Sequence, residues 1–130
     1  MAEFQIVVVT PEKTALEQNA DFVTLPAIDG ELGVMAHHAP LIARLGFGEM
    51  RIQSAGKTSR YYVDGGLAQI ANNVVSVLSG RAVAASDINA QEVQRQLETA
   101  ESETASDSAQ EALRVRSIAQ AKAQLKIAGR

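Results

Sequence analysis

The chain has 130 residues, 46% hydrophobic and 21% charged, with a formal net charge of −3 at pH 7. That balance fits one globular domain, or one domain with a small appendage, and excludes a chain-wide nucleic-acid footprint. The absence of cysteine excludes a disulfide scaffold, a thiolate zinc site and a cysteine nucleophile. No apolar run approaches the length of a membrane span, and MAEFQIVVV lacks the basic region and cleavage site of a signal peptide.

Punctuation divides the chain in two. All three prolines (Pro11, Pro26, Pro40) and eight of the nine glycines precede Arg81, and no helix breaker follows before Gly129. The five aromatics (Phe4, Phe22, Phe47, Tyr61, Tyr62) also lie in the first half. A boundary near Ala85–Asp87 follows, giving residues 1–86 and 87–130.

The first part reads as β-structure. Phe4–Val9 is β-branched and closed by Thr10-Pro11, and Asp21–Leu25 is closed by Pro26. Glu49 to Gln53 alternates polar and apolar residues, the period of a half-buried strand. A turn at Ser54–Lys57 leads to Arg60–Val63. Asn72-Asn73 separates Gln69–Ala71 from Val74–Leu78, and asparagine tolerates the positive φ of a two-residue hairpin. Short strands at this spacing predict an all-β sandwich or barrel.

The second part reads as an antiparallel α-helical hairpin. Ala90, Val93, Leu97 and Ala100 form one apolar stripe, with Asn89 as N-cap and Glu92 three residues on. Val115, Ile118, Leu125 and Ala128 form a second, with Ser108 and Glu111 as a capping box. The linking residues 102–108 are small and polar, suited to a helix–helix turn. From Asp87 to Glu111 there are seven acids and one base; from Ala112 onward there are five bases (Arg114, Arg116, Lys122, Lys126, Arg130) and no acid. An acidic helix folded on a basic one predicts ion pairs from Glu92, Glu98 and Glu101 to the second helix. Each exposed pair contributes under about 1 kcal/mol, so they tune the hairpin rather than create it.

Catalytic chemistry is sparse. His37 and His38 are adjacent and point to opposite faces of a strand, so no metal site is expected. No nucleophile elbow or phosphate-binding loop occurs, and Asp29 with Glu31, between Gly30 and Gly33, reads as an exposed turn. A hydrolase using His37 or His38 with Asp29 is a remote alternative. No cofactor is implied.

Several segments carry a family resemblance. Gly30-Glu31-Leu32-Gly33-Val34-Met35-Ala36-His37-His38-Ala39-Pro40-Leu41, followed by Leu45-Gly46-Phe47-Gly48, resembles the epsilon subunit of F-type ATP synthases. Val63-Asp64-Gly65-Gly66-Leu67-Ala68, residues 119–125 and the opening Val8–Lys13 are similar to other stretches of that family, in order and in register. The resemblance implies a flattened sandwich of about ten strands followed by the helix pair. It implies a non-catalytic rotor subunit at the foot of the central stalk, peripheral to the membrane on the cytoplasmic face of a bacterial plasma membrane.

Its implied partners are the gamma subunit, the membrane ring of c subunits and, when the helices extend, the alpha/beta catalytic hexamer, whose ATP hydrolysis they restrain. Asp29, Gly30, Glu31, Leu32 and Gly33 fall on the ring-facing loop, and His38, Ala39, Pro40 and Leu41 on the gamma-facing segment. The basic second helix would engage the hexamer. Some bacterial members bind ATP through I/L-D-x-x-R-A; here Asn89, Glu92 and Val93 replace the aspartate, arginine and alanine. A carboxylate at the guanidinium position reverses the local field, so no ATP site is expected. The alternative function is a free-standing sandwich module whose hairpin binds an unrelated partner.

Overall fold

A computed structural model describes residues 3–129. The strands are β1 (Phe4–Val9), β2 (Thr14–Ala20), β3 (Phe22–Ala27), β4 (Gly30–Met35), β5 (Leu41–Ser54), β6 (Lys57–Ala71), β7 (Val74–Leu78) and β8 (Ala82–Ala84). They form one mixed sheet in the order β2-β1-β7-β6-β5-β3-β4, with β8 also paired to β6, wrapped into a sandwich. Only β1 with β7 is parallel among the described pairs.

Eight strands stand where about ten were expected, and the reason is length. β5 and β6 run 14 and 15 residues as one continuous antiparallel ladder. Within β6, Leu67–Ala71 pairs with β7 whereas Tyr61–Val63 pairs with β8. Gly65 and Gly66, with φ of 70° and 103°, turn the strand between those partners. Division of each long strand at its glycines would restore ten segments.

Alternation fills the interior. Phe4, Ile6 and Val8 of β1 meet Val75 and Val77 of β7, Ala68 and Ile70 of β6, and Met50 and Ile52 of β5 in one buried cluster. Each large side chain so buried contributes roughly 1.5–3 kcal/mol. Both anticipated tight turns are present: Ala55-Gly56 and Asn72-Asn73 carry positive φ at both positions. Asparagine reaches that region easily, and alanine at 55 does so with its amide held by Asp21 Oδ2 at 3.2 Å.

A 3₁₀ turn at Ala85–Asp87 leads into helix α1 (Ala90–Ser102), joined by a short link to α2 (Ser108–Ala128). Asn89 caps α1, its Oδ1 accepting from the Glu92 amide at 3.1 Å. The cap of α2 is Asp107 rather than the expected Ser108, with Oδ1 accepting from Gln110 N at 2.8 Å. Arg114 Nη2, early in α2, donates to the Glu101 carbonyl at the end of α1, so the helices run antiparallel.

The second apolar stripe differs from expectation. Val115 is 54% exposed, and the face toward α1 is Arg114, Ile118, Ala121 and Leu125, at spacings of four, three and four. On the opposite side, Arg116, Gln120, Ala123 and Ile127 face the sandwich with the same spacing. α2 thus lies between α1 and the sandwich. Of the first stripe, Val93, Leu97 and Ala100 are buried while Ala90 is exposed at the helix start.

Candidate functional site

The β3–β4 hairpin turns through Ile28 and Asp29, with Gly30 at φ 132°. Asp29, Gly30, Glu31 and Gly33 are exposed and Leu32 is half-buried. Glu31 is not a free turn acid. Its Oε2 lies 3.0 Å from Arg51 Nη1, which also meets Glu49 Oε1 at 3.0 Å. Glu49 Oε2 accepts from Arg60 Nε at 2.8 Å, and Arg60 Nη2 donates to the Ile127 carbonyl at 2.6 Å. Glu49 is 7% exposed, and two guanidiniums supply the pairing that a buried carboxylate requires. Hydrogen bonds from Arg51 to Glu31, then to Glu49, raise the guanidinium pKa. A polar chain therefore runs from the β3–β4 turn to the C-terminus of α2.

The His38–Leu41 segment follows β4. His37 adopts φ 62°, and its amide donates to Asn73 Oδ1 at 2.7 Å. Asn73 Nδ2 in turn donates to the Glu3 carbonyl at 2.9 Å, tying this turn to the first strand. His38 is half-buried with Nδ1 2.7 Å from the Ala39 carbonyl, while Ala39, Pro40 and Leu41 are exposed. Neither imidazole bonds the Asp29 carboxylate, and no cluster of metal-binding side chains occurs among the described residues. The hydrolase arrangement is not assembled.

Of the second segment, only Leu41 meets the first. Ile28 N donates to the Arg44 carbonyl at 3.0 Å, and the β3–β4 turn shares one shallow concavity with Leu41 to Arg44. Within it Ile28 is 62% and Ile42 67% exposed, and beside it the sheet exposes Leu67 and Leu78, apolar side chains that the sequence reading passed over. Arg44, Leu67 and Leu78 are successive partners across β5, β6 and β7, so they share one row of the outer face. The available signal was apolar residues at outward positions of alternating strands.

The helix residues divide by role. Asn89 is the cap, Val93 is buried against α2, and Glu92 pairs with Arg95, which holds the Glu92 carboxyl below its ordinary pKa. Each position that departs from the ATP motif has local structural work. In α2, Arg114 bonds Glu111 and the Glu101 carbonyl, and Arg116 lies 5.4 Å from the Phe47 ring centroid. Lys122 and Lys126 are exposed, and Arg130 lies outside the described residues. The expected ion pairs between the helices do not form among the described residues: Glu92 pairs within α1 and Arg114 within α2. Contacts three residues apart on one helix won over contacts across the seam.

The seam between α2 and the sandwich holds a second group missed from sequence. Asp64 is 8% exposed, and its carboxylate accepts from Tyr62 Oη at 3.1 Å. Gln120 Nε2 donates to Asp64 Oδ1 and Oδ2 at 2.9 and 3.1 Å. The Asp64 amide donates to Ser79 Oγ at 2.9 Å, and Arg81 lies 5.9 Å from the Tyr62 ring centroid. Burial first, then the Asp64 charge, pushes the Tyr62 phenol well above its ordinary pKa. Gln120 resembles a solvent residue in the sequence, so only its spacing from Arg116 and Ile127 could have revealed it.

Residues 3–85 match the family described as ATP synthase, delta/epsilon chain, beta-sandwich domain. The chain belongs to that family. It is 57% identical over 77 residues to the ATP synthase epsilon chain of Rhodopirellula baltica, covering 59% of this chain and 60% of that one. It is 39% identical over 100 residues to the sodium ion specific ATP synthase epsilon chain of Propionigenium modestum, covering 77% and 73%. The whole fold is similar to a chain in the Euglena gracilis mitochondrial ATP synthase, with TM-score 0.87 at 22% identity over 100% of this chain and 83% of that one. Among the described residues no helix is long and apolar enough to cross a membrane.

Proposed function

We propose that this chain is the non-catalytic epsilon-type subunit at the foot of the central stalk of a rotary ATP synthase. It sits between the gamma subunit and the membrane ring of c subunits, and helps transmit ion-driven rotation to the catalytic hexamer. Its position is peripheral, on the cytoplasmic face of a bacterial plasma membrane. Family membership and the epsilon-chain relatives support this assignment. The observation that carries it is the convergence of the Glu31 turn and the Leu41–Arg44 strand start, beside exposed Ile42 and Leu67. One surface can then meet two neighbours: the acidic turn reaches the polar loops of the ring, and the apolar row packs on gamma.

Residues 1–86 form the partner-binding sandwich and residues 87–130 the regulatory hairpin. Two separate apolar clusters support that division, one within the sandwich and one between the helices. Capture of gamma by the full chain carrying Ile42→Asp with Leu67→Asp is the test. Both side chains point away from the core, so the sandwich stays folded and gamma capture falls by at least about tenfold. Undiminished capture would overturn the placement of gamma on this face. Failure of the unmodified chain to capture gamma at all would overturn the functional assignment.

A further inference from the structure

The turn between β6 and β7 holds two asparagines in the same left-handed backbone region, Asn72 at φ 52° and Asn73 at φ 63°. Their side chains differ. Asn72 is exposed and forms no side-chain hydrogen bond among the described residues. Asn73 Oδ1 accepts from the His37 amide at 2.7 Å, and Asn73 Nδ2 donates to the Glu3 carbonyl at 2.9 Å. The Asn73 carbonyl accepts from Gln5 N at 3.2 Å, so this one residue joins the β6–β7 turn to two other segments. We propose that Asn73 is the positioning residue of the gamma-facing segment: its side chain clamps the turn at His37 and so presents His38 to Leu41 in the docking geometry. This deepens the functional assignment above and rests on it for the identity of the partner.

The segment needs such a tie. Residues 36–40 leave the sheet after Met35 of β4 and rejoin it at Leu41, which pairs with Ile70 of β6. Between those points, the bond from His37 to Asn73 is the one hydrogen bond to another element among the described residues. His38 Nδ1 meets only the carbonyl of its neighbour, Ala39. His37 itself holds φ 62°, a region that a non-glycine residue keeps only when its surroundings fix it. Both ties lie on the β6–β7 hairpin, so the segment is held at each end against one support. Asparagine suits the role because it tolerates the left-handed region and carries both a donor and an acceptor. Both polar atoms of its side chain meet the chain's own backbone, so Asn73 acts through His37 rather than as a contact of its own.

Gamma then meets a segment that is already in place. When such a segment is ordered only part of the time, association slows by the populated fraction and dissociation does not change. The test compares Asn73→Gly, Asn73→Asp and Asn72→Gly in the full chain. Glycine keeps the positive φ at either position and removes only the side chain. Aspartate keeps an acceptor for the His37 amide but offers no donor to the Glu3 carbonyl. In the isolated chain, Asn73→Gly speeds exchange of the His37 amide about fivefold, and Asn72→Gly leaves it unchanged. Against purified gamma, Asn73→Gly lowers the association rate constant at least about threefold, with an unchanged dissociation rate. Asn72→Gly matches the parent, and Asn73→Asp restores most of the rate and of the His37 protection. Amide protection of β1 and β7 reports that the sandwich is folded in each variant.

Failure of the parent chain to bind gamma would overturn the functional assignment, and the exchange comparison would still decide whether the clamp exists. Unchanged His37 exchange in Asn73→Gly overturns the clamp. Faster exchange with an unchanged association rate overturns its role in docking, as does a loss confined to the dissociation rate, which would make Asn73 a direct contact. An equal loss in Asn72→Gly would assign the effect to a looser turn and overturn the proposal. So would an Asn73→Asp chain as slow as Asn73→Gly, because the effect would then come from the Glu3 tie and not from His37.

Discussion

Arg60 joins two ends of the molecule, its guanidinium donating to the Ile127 carbonyl at 2.6 Å and to the buried Glu49 carboxylate at 2.8 Å. The first contact satisfies a carbonyl in the last turn of α2, where a positive charge also opposes the negative end of the helix dipole. The second helps neutralise a carboxylate that burial would otherwise penalise.

Arg60→Met keeps the length of the side chain and removes both contacts. The expected loss is about 2 kcal/mol, because Glu49 retains Arg51 but loses the Arg60 guanidinium. Urea unfolding followed by circular dichroism measures it, and amide exchange of residues 120–128 reports loosening of the helix end. Full stability with unchanged protection would show that the bond at Ile127 holds nothing. Arg60→Lys keeps a charge without the two-armed geometry and should fall between parent and Met.

The two glycines in the middle of β6 are not equivalent. A Cβ on Gly66 would lie 1.9 Å from the Leu78 carbonyl oxygen, whereas one on Gly65 meets nothing nearer than Phe47 at 3.7 Å. Both have positive φ, so each alanine is strained, but only Gly66→Ala also forces β6 away from β7. Gly65→Ala should cost about 1–2 kcal/mol and Gly66→Ala at least about 4 kcal/mol. Denaturant midpoints compare them directly. Equal midpoints would mean that the close approach at Leu78 relaxes freely.

The β-half was legible because its signals are local. Asn72-Asn73 announces a two-residue turn by its own backbone preference, and Met50 and Ile52 announce the buried face of β5 by alternation. The helices were legible for the same reason, through Asn89 and the Val93–Leu97–Ala100 stripe. The seam of α2 was not. Arg116 and Gln120 are polar residues whose partners, Phe47 and Asp64, lie far away in sequence and on another element. A polar helix face looks the same whether water or a buried carboxylate opposes it. The predicted ion pairs between helices failed for a related reason: net charge on a segment does not say which neighbour a side chain chooses. Ile42 and Leu67 escaped notice because single exposed apolar residues are common, and only strand register places them together.

Alkaline pH should expose the cost of ionising Tyr62. Its phenol lies above its ordinary value in the folded chain, first through burial and then through Asp64. In the unfolded chain the proton leaves near pH 10, while the folded chain retains it. The contribution is thus fully present below about pH 10 and declines as pH rises beyond that point. Tyr62→Phe should lose about 1 kcal/mol at pH 7, for the hydrogen bond to Asp64, and show a shallower decline above pH 10. Urea midpoints between pH 8 and about 11 give both slopes. Parallel slopes would remove Tyr62 as the source of the decline.

The basic face of α2 can be tested without disturbing its docking. Arg114 and Arg116 are already engaged, by Glu111 and the Glu101 carbonyl in one case and by the Phe47 ring in the other. Replacing them would perturb both the docked and the released hairpin. Lys122 and Lys126 are exposed and form no ion pair with the acids of α1. Lys122→Ala with Lys126→Ala should therefore leave the thermal stability of the isolated chain within error, since exposed charges contribute little. If the released helix restrains the catalytic hexamer through its positive charge, the same pair raises ATP hydrolysis by the assembled enzyme about three- to tenfold, and less at high salt. A rate that stays unchanged at low and moderate salt would reject the electrostatic brake. A raised rate accompanied by lowered thermal stability of the isolated chain would instead place these lysines in the docking contact.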